Sequence, residues 1–152
     1  MALTVHTTQA LEVSRTAVIL IAEDNDGHAS LMKRKLKRCG LAQAYHRFRD
    51  GQEVLDFLVK VSKSTHLQPL APHILFLDGC MPKMTGQEVL RKIQANHILQ
   101  TIPLTIITTT DDAQERESFK ALGCTSHLKK PVEIQALRQI FIHWPPDNPS
   151  PT

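Results

Sequence analysis

The sequence predicts an α/β fold in which five parallel strands alternate with five helices, a (βα)5 order that forms one open, doubly wound sheet. Short, continuous apolar runs recur between turn residues, which is typical of strands buried on both faces of a parallel sheet. Between these runs, apolar residues recur three and four positions apart, which is typical of helices that cover such a sheet. The chain has 152 residues, 41% hydrophobic and 22% charged, and is long enough for one domain with a buried core.

The first strand and helix have the clearest pattern. Residues 17–22 are an unbroken aliphatic run, so we expect a buried strand there. Residues 23–27 follow as an acidic turn rich in helix-capping side chains. The helix after this turn is predicted from a stripe of apolar residues and a terminal glycine, namely Ala29, Met32, Leu36, Cys39 and Gly40.

The second unit is less regular. Residues 41–48 alternate loosely and predict strand two, and Asp50 and Gly51 predict a turn. Residues 62–72 are polar with two prolines and predict a loop. The helix between turn and loop is predicted from the apolar stripe Val54, Leu55, Leu58 and Val61.

The third unit begins with a continuous apolar strand at residues 73–77, and Asp78 follows at its end. Thr85 and Glu88 have the spacing of a capping box, in which each side chain bonds to the other residue's backbone N–H. Helix three is then predicted from the residues Val89, Leu90, Ile93 and His97.

The fourth and fifth units complete the alternation. Residues 102–107 predict strand four, and helix four is expected to begin at Asp111 and Asp112 and to end at Gly123. Residues 125–129 predict a short fifth strand. The last helix is predicted from the residues Leu137, Ile140, Phe141 and Trp144.

These elements define the expected boundaries. Residues 1–16 are predicted to be an N-terminal extension, residues 17–144 the folded domain, and residues 145–152 a proline-rich disordered tail. No apolar run approaches the roughly 20 residues that a membrane-spanning helix needs, so no membrane association is expected. The net charge of +3 is too small to require a nucleic-acid partner.

The cysteines indicate the cellular compartment in which the protein works. Cys39, Cys80 and Cys124 are widely spaced and form no CxxC pair. A zinc site or a disulfide framework is therefore not expected, and a reducing, cytoplasmic location is predicted.

Reactive side chains follow four of the five predicted strands: Glu23 and Asp24, Asp78, Thr108, and Lys130. The carboxyl ends of parallel strands meet at one edge, where such sheets carry their function. Clustered carboxylates repel each other and favour a hard divalent cation such as Mg²⁺. A carboxylate can also accept a phosphoryl group, whose oxygens a hydroxyl and an ammonium can hold.

This set, with Met81, Pro82 and Gly86 after Asp78 and Pro131 after Lys130, resembles the receiver domain of bacterial response regulators over residues 17–143. The resemblance implies the flavodoxin-like receiver fold. The long loop before strand three and the ending Phe-Ile-His-Trp-Pro are most similar to small single-domain regulators that serve phytochrome-type sensor kinases.

The resemblance also implies a role for each residue. Asp78 would accept a phosphoryl group from a partner sensor histidine kinase. Asp24, Asp78 and the backbone carbonyl of Cys80 would hold Mg²⁺, with Glu23 acting through water. Lys130 would pair with the phosphoryl group, and Thr108 would move towards it. The peptide bond from Lys130 to Pro131 would be cis.

Two residues depart from the family pattern. His127 stands where the family has the tyrosine or phenylalanine of the switch, so its charge would depend on pH. Gly79 replaces a larger residue after the phosphoacceptor, which would loosen that loop. The remaining histidines show no metal-binding spacing and are predicted to be incidental. Residues 33–38 are basic and fit either a solvated helix face or a docking site for the kinase.

The resulting hypothesis is a phosphoryl-accepting signalling switch that is not an enzyme beyond its own phosphotransfer and dephosphorylation. Its output would pass through an unknown downstream protein or through a homodimer formed by helix four, strand five and helix five. A phosphorylation-independent binding module stays open as the alternative. An aspartyl-phosphate hydrolase is disfavoured because Cys80 stands where such enzymes have a second aspartate. A basic nucleic-acid binder that uses helix one would show a steep salt dependence of binding.

Overall fold

The computed structural model describes residues 18–40, 44–64, 73–109 and 111–142. The predicted extension, the predicted tail and Trp144 lie outside these residues. Five strands and five α-helices alternate along the described chain, with a short 3₁₀ helix at Leu99–Thr101 before the fourth strand. The strands are β1 Val18–Ala22, β2 Tyr45–Phe48, β3 His73–Asp78, β4 Leu104–Thr108 and β5 Ser126–Lys129. The helices are α1 Asp26–Arg38, α2 Gly51–Ser64, α3 Gly86–Gln94, α4 Ala113–Ala121 and α5 Ile134–Ile142.

The strands form one parallel sheet in the order β2-β1-β3-β4-β5, which confirms the predicted doubly wound fold. The order changes direction between β1 and β3, where the ends of neighbouring strands leave a crevice for a ligand. Ala22 in β1 is opposite Leu77 in β3, so the residues that follow them, Glu23 and Asp78, lie in the same row.

The sheet has a separate apolar cluster on each face. Side chains of α2 and α3, with Phe119 of α4, pack on one face, and side chains of α1 and α5 pack on the other. The central strands are buried on both faces, which explains their continuous apolar sequence. Two clusters across one sheet fix the strands from both sides and hold the strand ends in register.

Side chains cap the helices as the sequence suggests. Thr85 and Glu88 form the predicted capping box at the start of α3. The side chain of Asp112 accepts a hydrogen bond from Gln114 N at the start of α4. Asn25 does the same for His28 N in α1, which fixes the turn that carries the acidic residues.

Several predicted boundaries are wrong. The structure continues α2 to Ser64, through the start of the predicted loop; Ser62 lies within this helix, is buried, and donates its hydroxyl to Val59 O. His97 lies beyond the end of α3 at Gln94, where the side chain of Asn96 accepts hydrogen bonds from the backbone N–H groups of Ile98 and Leu99 and turns the chain. Within the described residues, no helix is both long and apolar enough to cross a membrane.

Candidate functional site

The carboxyl edge of the sheet brings the predicted side chains together. Glu23 and Asp24 follow β1, Asp78 ends β3, Thr108 ends β4, and Lys130 follows β5. Glu23, Asp78 and Thr108 are buried, whereas Asp24 is exposed at the rim. The site therefore has a buried floor and an open acidic side.

Lys130 is the centre of the hydrogen-bond network. Its Nζ donates to Glu23 Oε2 at 2.8 Å and to Asp78 Oδ2 at 3.3 Å. Burial lowers the pKa of Lys130, but the hydrogen bond to Glu23 and the charges of Asp78 and Glu23 outweigh burial and raise it. The ammonium thus stays charged and binds two carboxylates that would otherwise repel each other.

The electrostatics of Asp78 differ from those of an ordinary surface aspartate. Burial and the neighbouring Glu23 raise the pKa of Asp78 to about 6, against the opposing effects of the Cys80 N–H and of Lys130. The Cys80 N–H donates to Asp78 Oδ1 at 3.1 Å and so orients the carboxylate. Asp78 is therefore an oriented carboxylate that is ionised above this pH, as a nucleophile must be.

The acidic residues have the composition of a site for a hard cation. Glu23, Asp24 and Asp78 can each bring a carboxylate oxygen within 4.8 Å of the others. Carboxylates at this spacing suit Mg²⁺ or Mn²⁺, which prefer oxygen ligands and keep water molecules in their shell. The donor set fits a divalent metal.

Arg47 of β2 holds the acidic turn, although strand two has no predicted functional residue. Its Nε and Nη2 donate to the backbone carbonyl of Glu23 at 3.1 and 3.0 Å, and Nη2 also donates to Asp24 O at 3.2 Å. Its Nη1 donates to Asp26 Oδ1 at 2.6 Å. The sequence carries no local sign of this role, because the contacts exist only once β2 pairs with β1.

His28, which the sequence predicts to be incidental, also lies in the network. Its Nδ1 is 3.2 Å from Lys130 Nζ and 3.3 Å from Glu23 Oε1. His28 sits in the first turn of α1, one residue beyond the predicted acidic turn. Only the pairing of α1 with the loop after β5 brings it to Lys130.

Thr108 and Gly79 pack closely on the other side of Asp78. The hydroxyl of Thr108 is 3.1 Å from Nε2 of His127, so the predicted switch residues are in contact. A Cβ on Gly79 would lie 2.7 Å from Cγ2 of Thr108. The absence of a side chain at Gly79 lets β4 approach the loop after Asp78. The Lys130–Pro131 peptide bond, which precedes α5, is cis.

An apolar cavity of about 310 Å³ opens beside the carboxylates. Residues of α1, β4 and the loop after β5 line it, among them Leu31, Met32, Ile107 and Val132. Glu23, His28 and Lys130 are among its polar lining residues. The acidic site is therefore continuous with an apolar groove.

Comparison with known proteins identifies the class. The family model described as the response regulator receiver domain matches residues 19–142. This chain therefore belongs to the response regulator receiver family, whose members pair with histidine kinases in two-component signalling.

Two curated relatives cover most of this chain. The probable methanogenesis regulatory protein FilR2 of Methanothrix harundinacea is 31% identical over 146 residues, which are 93% of this chain and 92% of that protein. Response regulator Rcp1 of Synechocystis is 28% identical over 120 residues, which are 79% of this chain and 80% of Rcp1.

Solved structures share the fold. A receiver domain from Rhodospirillum rubrum has a TM-score of 0.70 at 32% identity, covering 82% of this chain and 91% of that one. The bacteriophytochrome response regulator AtBRR has a TM-score of 0.66 at 29% identity, and the Mn²⁺-bound form of Rcp1 has 0.64 at 26%. Each of these two alignments covers 82% of this chain and 88% of the solved chain. The relatives thus include a regulator associated with phytochrome and one that binds a divalent metal.

Proposed function

We propose that this chain is a response regulator that accepts a phosphoryl group on Asp78 from a sensor histidine kinase, with Mg²⁺ at the acidic cluster. The observation that carries the proposal is the position of Asp78. Its carboxylate is buried, oriented by the Cys80 N–H, and shares Lys130 with Glu23. A purely structural aspartate at a strand end would need neither a second buried carboxylate nor a shared ammonium.

The reaction would be an in-line displacement. An oxygen of ionised Asp78 attacks the phosphorus of a phosphohistidine and forms the P–O bond. The P–N bond breaks, and its electron pair goes to the imidazole nitrogen of the kinase. Lys130 can follow the transferred group, because its ammonium already lies 3.3 Å from Asp78 Oδ2 and binds phosphate oxygens as a point charge.

Glu23, Asp24, Asp78 and the backbone carbonyl of Cys80 would hold the metal. Bound Mg²⁺ supplies positive charge that stabilises the phosphoryl oxygens during transfer. Arg47 supports this set from outside, since it binds the backbone carbonyl groups of Glu23 and Asp24 rather than their carboxylates.

The partner is proposed to be a histidine kinase of the phytochrome type. Support comes from AtBRR, which is 29% identical to this chain and whose structure is described as that of a bacteriophytochrome response regulator. The apolar groove between α1 and the loop after β5 opens onto Asp78's neighbours and gives such a kinase a docking surface. A cytoplasmic location is part of this proposal because Cys39, Cys80 and Cys124 are free thiols.

Output is proposed to follow from the contact between Thr108 and His127. A phosphoryl group on Asp78 adds about 1.5 to 2 negative charges and strong acceptors, which compete with His127 for the threonine hydroxyl. His127 belongs to β5, so its release would alter the surface formed by α4, β5 and α5. That surface is the proposed site for a downstream protein or for a homodimer.

Acetyl phosphate and MgCl₂ test the proposal directly. We expect the intact mass of the purified protein to increase by one phosphoryl group, and we expect EDTA or Asp78→Asn to prevent the gain. Asp24→Asn should weaken Mg²⁺ binding and so raise the Mg²⁺ concentration that phosphorylation needs, whereas Asp56→Asn, on the exposed side of α2, should leave phosphorylation unchanged. Absence of any gain with Mg²⁺ or Mn²⁺ would favour the phosphorylation-independent binding module instead.

A further inference from the structure

We propose that Lys83 is a positioning residue that holds the loop after Asp78 in the conformation in which the Cys80 N–H binds the phosphoacceptor. The inference rests on the proposed function of Asp78 and adds a residue to it. Its basis is an ion pair that joins this loop to α2: Lys83 Nζ lies 3.2 Å from Oδ2 of Asp50, the residue that precedes the helix.

The backbone of Lys83 has a conformation that is unfavourable for a residue with a side chain. Its φ is +66°, and in the part of the chain that the structure describes Lys83 is the one residue other than glycine with a positive φ. Met84 N donates to Pro82 O at 2.7 Å, so these three residues form a γ-turn, which is rare and strained when φ is positive. Such a backbone persists only where its surroundings hold it.

Asp50, the partner of Lys83, is itself held in place. Its carboxylate is buried, and Oδ1 accepts a hydrogen bond from Glu53 N at 2.9 Å at the start of α2. The Glu53 N–H lowers the pKa of Asp50 most, and Lys83 and the Gln52 N–H lower it further, against the effect of burial. Asp50 is therefore ionised at neutral pH, and its second carboxylate oxygen is the one that contacts Lys83.

Packing brings the turn and the start of α2 together. A Cβ on Gly51 would lie 3.0 Å from Cβ of Met84 and 3.1 Å from Met84 O, so the loop lies directly against this helix. Met81 and Met84, on either side of the turn, are buried in the apolar cluster beneath it. The side chain of Lys83 is 72% exposed, so the ion pair with Asp50 holds the turn from the solvent side.

The two ends of the loop meet beside Asp78, so the shape of the loop determines how the carboxylate is oriented. Gly86 N donates to Gly79 O at 3.3 Å, which closes the loop on itself. Within this closed loop the Cys80 N–H donates to Asp78 Oδ1 at 3.1 Å. A relaxed turn would change the shape of the closed loop and move this N–H relative to the carboxylate, and the rate of attack depends on that orientation.

Lys83 thus has two opposite effects on the loop. Its Cβ strains a turn that glycine would adopt freely, and its ammonium holds that turn against α2. Lys83→Met keeps the strain and removes the ion pair, whereas Lys83→Gly removes both. Asp50→Asn removes the charge that the ammonium binds and leaves a side chain that can still cap the helix.

The experiment compares these three variants, and the double variant of Lys83→Met with Asp50→Asn, with the wild type. The control is Lys92→Met, which removes an exposed ammonium from α3. The first readout is the hydrogen-exchange rate of the Cys80 amide by ¹⁵N–¹H NMR in EDTA. The second is the initial rate of phosphorylation by acetyl phosphate at saturating Mg²⁺, followed by intact mass.

We expect Lys83→Met to speed exchange at the Cys80 amide about threefold and to slow phosphorylation by a similar factor, the effect of one ion pair at the surface. Lys83→Gly should lie between Lys83→Met and the wild type, because it loses the ion pair but relieves the strained φ. In the Asp50→Asn background Lys83→Met should change neither rate, since the charge of its partner is already absent.

Wild-type rates in Lys83→Met would overturn the inference, and so would an equal change in Lys92→Met. A full effect of Lys83→Met in the Asp50→Asn background would also contradict it, because the lysine would then act without its proposed partner. Failure of the wild type to take up phosphate would instead contradict the proposed function. The exchange rate of the Cys80 amide in EDTA distinguishes the two cases, because it reports the loop without any phosphorylation.

Discussion

The imidazole Nε2 of His127 and the hydroxyl oxygen of Thr108 are 3.1 Å apart, which joins the ends of β4 and β5 through a polar contact. Burial lowers the pKa of His127, and the charge of Arg116 lowers it further, against the charges of Glu115 and Asp111. The imidazole is therefore neutral at pH 7.5. A phenylalanine or tyrosine ring at this position could not offer Thr108 a ring nitrogen.

His127→Phe should reduce the loss of stability on acidification. Below about pH 6.5 the unfolded chain takes up a proton on His127 before the folded chain does, so the wild type loses stability as the pH falls. Phenylalanine removes this difference in proton uptake. Urea unfolding at pH 7.5 and pH 5.5 measures the loss of unfolding free energy on acidification, with His97→Ala as the control. Equal losses in the wild type and in His127→Phe would contradict the expectation.

Asp78→Asn should stabilise the metal-free protein at neutral pH. The folded pKa of about 6 lies above the unfolded value of 3.8, so ionised Asp78 opposes folding above pH 6. The gain should be at most about 3 kcal/mol, from 1.36 kcal/mol per pH unit, and smaller because asparagine pairs less well with Lys130. It should shrink as the pH falls towards 4, because folded Asp78 is already protonated there and the unfolded residue, with a pKa of 3.8, is beginning to be.

Chemical unfolding in EDTA at pH 7.5, 5.5 and 4 checks this prediction. The difference in unfolding free energy between Asp78→Asn and wild type should decrease at each lower pH. A difference in unfolding free energy that is constant with pH would mean that the ionisation of Asp78 does not cause it.

Arg47→Met should destabilise the fold by about 1–2 kcal/mol, because it removes charge-assisted bonds to two backbone carbonyls. It should also weaken Mg²⁺ binding severalfold, since the turn that carries Glu23 and Asp24 loses its support. Arg49→Met is the matched control, because Arg49 is exposed and shares only the Asp26 carboxylate with Arg47. Equal Mg²⁺ affinities for the two variants by calorimetry would refute this role.

Gly79→Ala should cost about 1–3 kcal/mol of stability by overpacking. The added Cβ would lie 2.7 Å from Cγ2 of Thr108 and 3.3 Å from Cζ of Phe119, both on elements fixed by the core. In Gly27→Ala the new Cβ meets only Asn25 Oδ1, at 3.2 Å, so this variant is the control. Thermal unfolding distinguishes them, and equal melting temperatures would show that the loop after Asp78 accommodates a side chain.

Lys130→Ala should slow phosphoryl uptake on Asp78 without abolishing it, and should uncouple the response of Thr108. The acceptor oxygen belongs to Asp78, whereas Lys130 contributes the charge that would fix the transferred group. Intact mass reports uptake, and the ¹³C-methyl NMR signal of Thr108 reports the response. A full shift of that signal on phosphorylation of Lys130→Ala would contradict the proposed division of roles.

The central strands were predictable because burial on both faces imposes a continuous apolar sequence. Strand β2 was predicted over residues 41–48 from a loose alternation and is found at Tyr45–Phe48; its pattern is weaker because this edge strand is only partly buried. Asp78 and Lys130 could be assigned to one edge because the ends of parallel strands must meet there. Arg47 and His28 could not, because their contacts depend on the pairing of β2 with β1 and on the placement of α1 beside the loop after β5.

The position of Lys130 has a consequence for how the protein matures. Its ammonium neutralises part of the charge of Glu23 and Asp78, so the chain carries its own counter-ion for the acidic cluster. Folding then does not have to wait for a cation from solution. A magnesium ion bound as proposed would enter and leave a finished scaffold, and its binding could vary with cellular conditions without unfolding the protein.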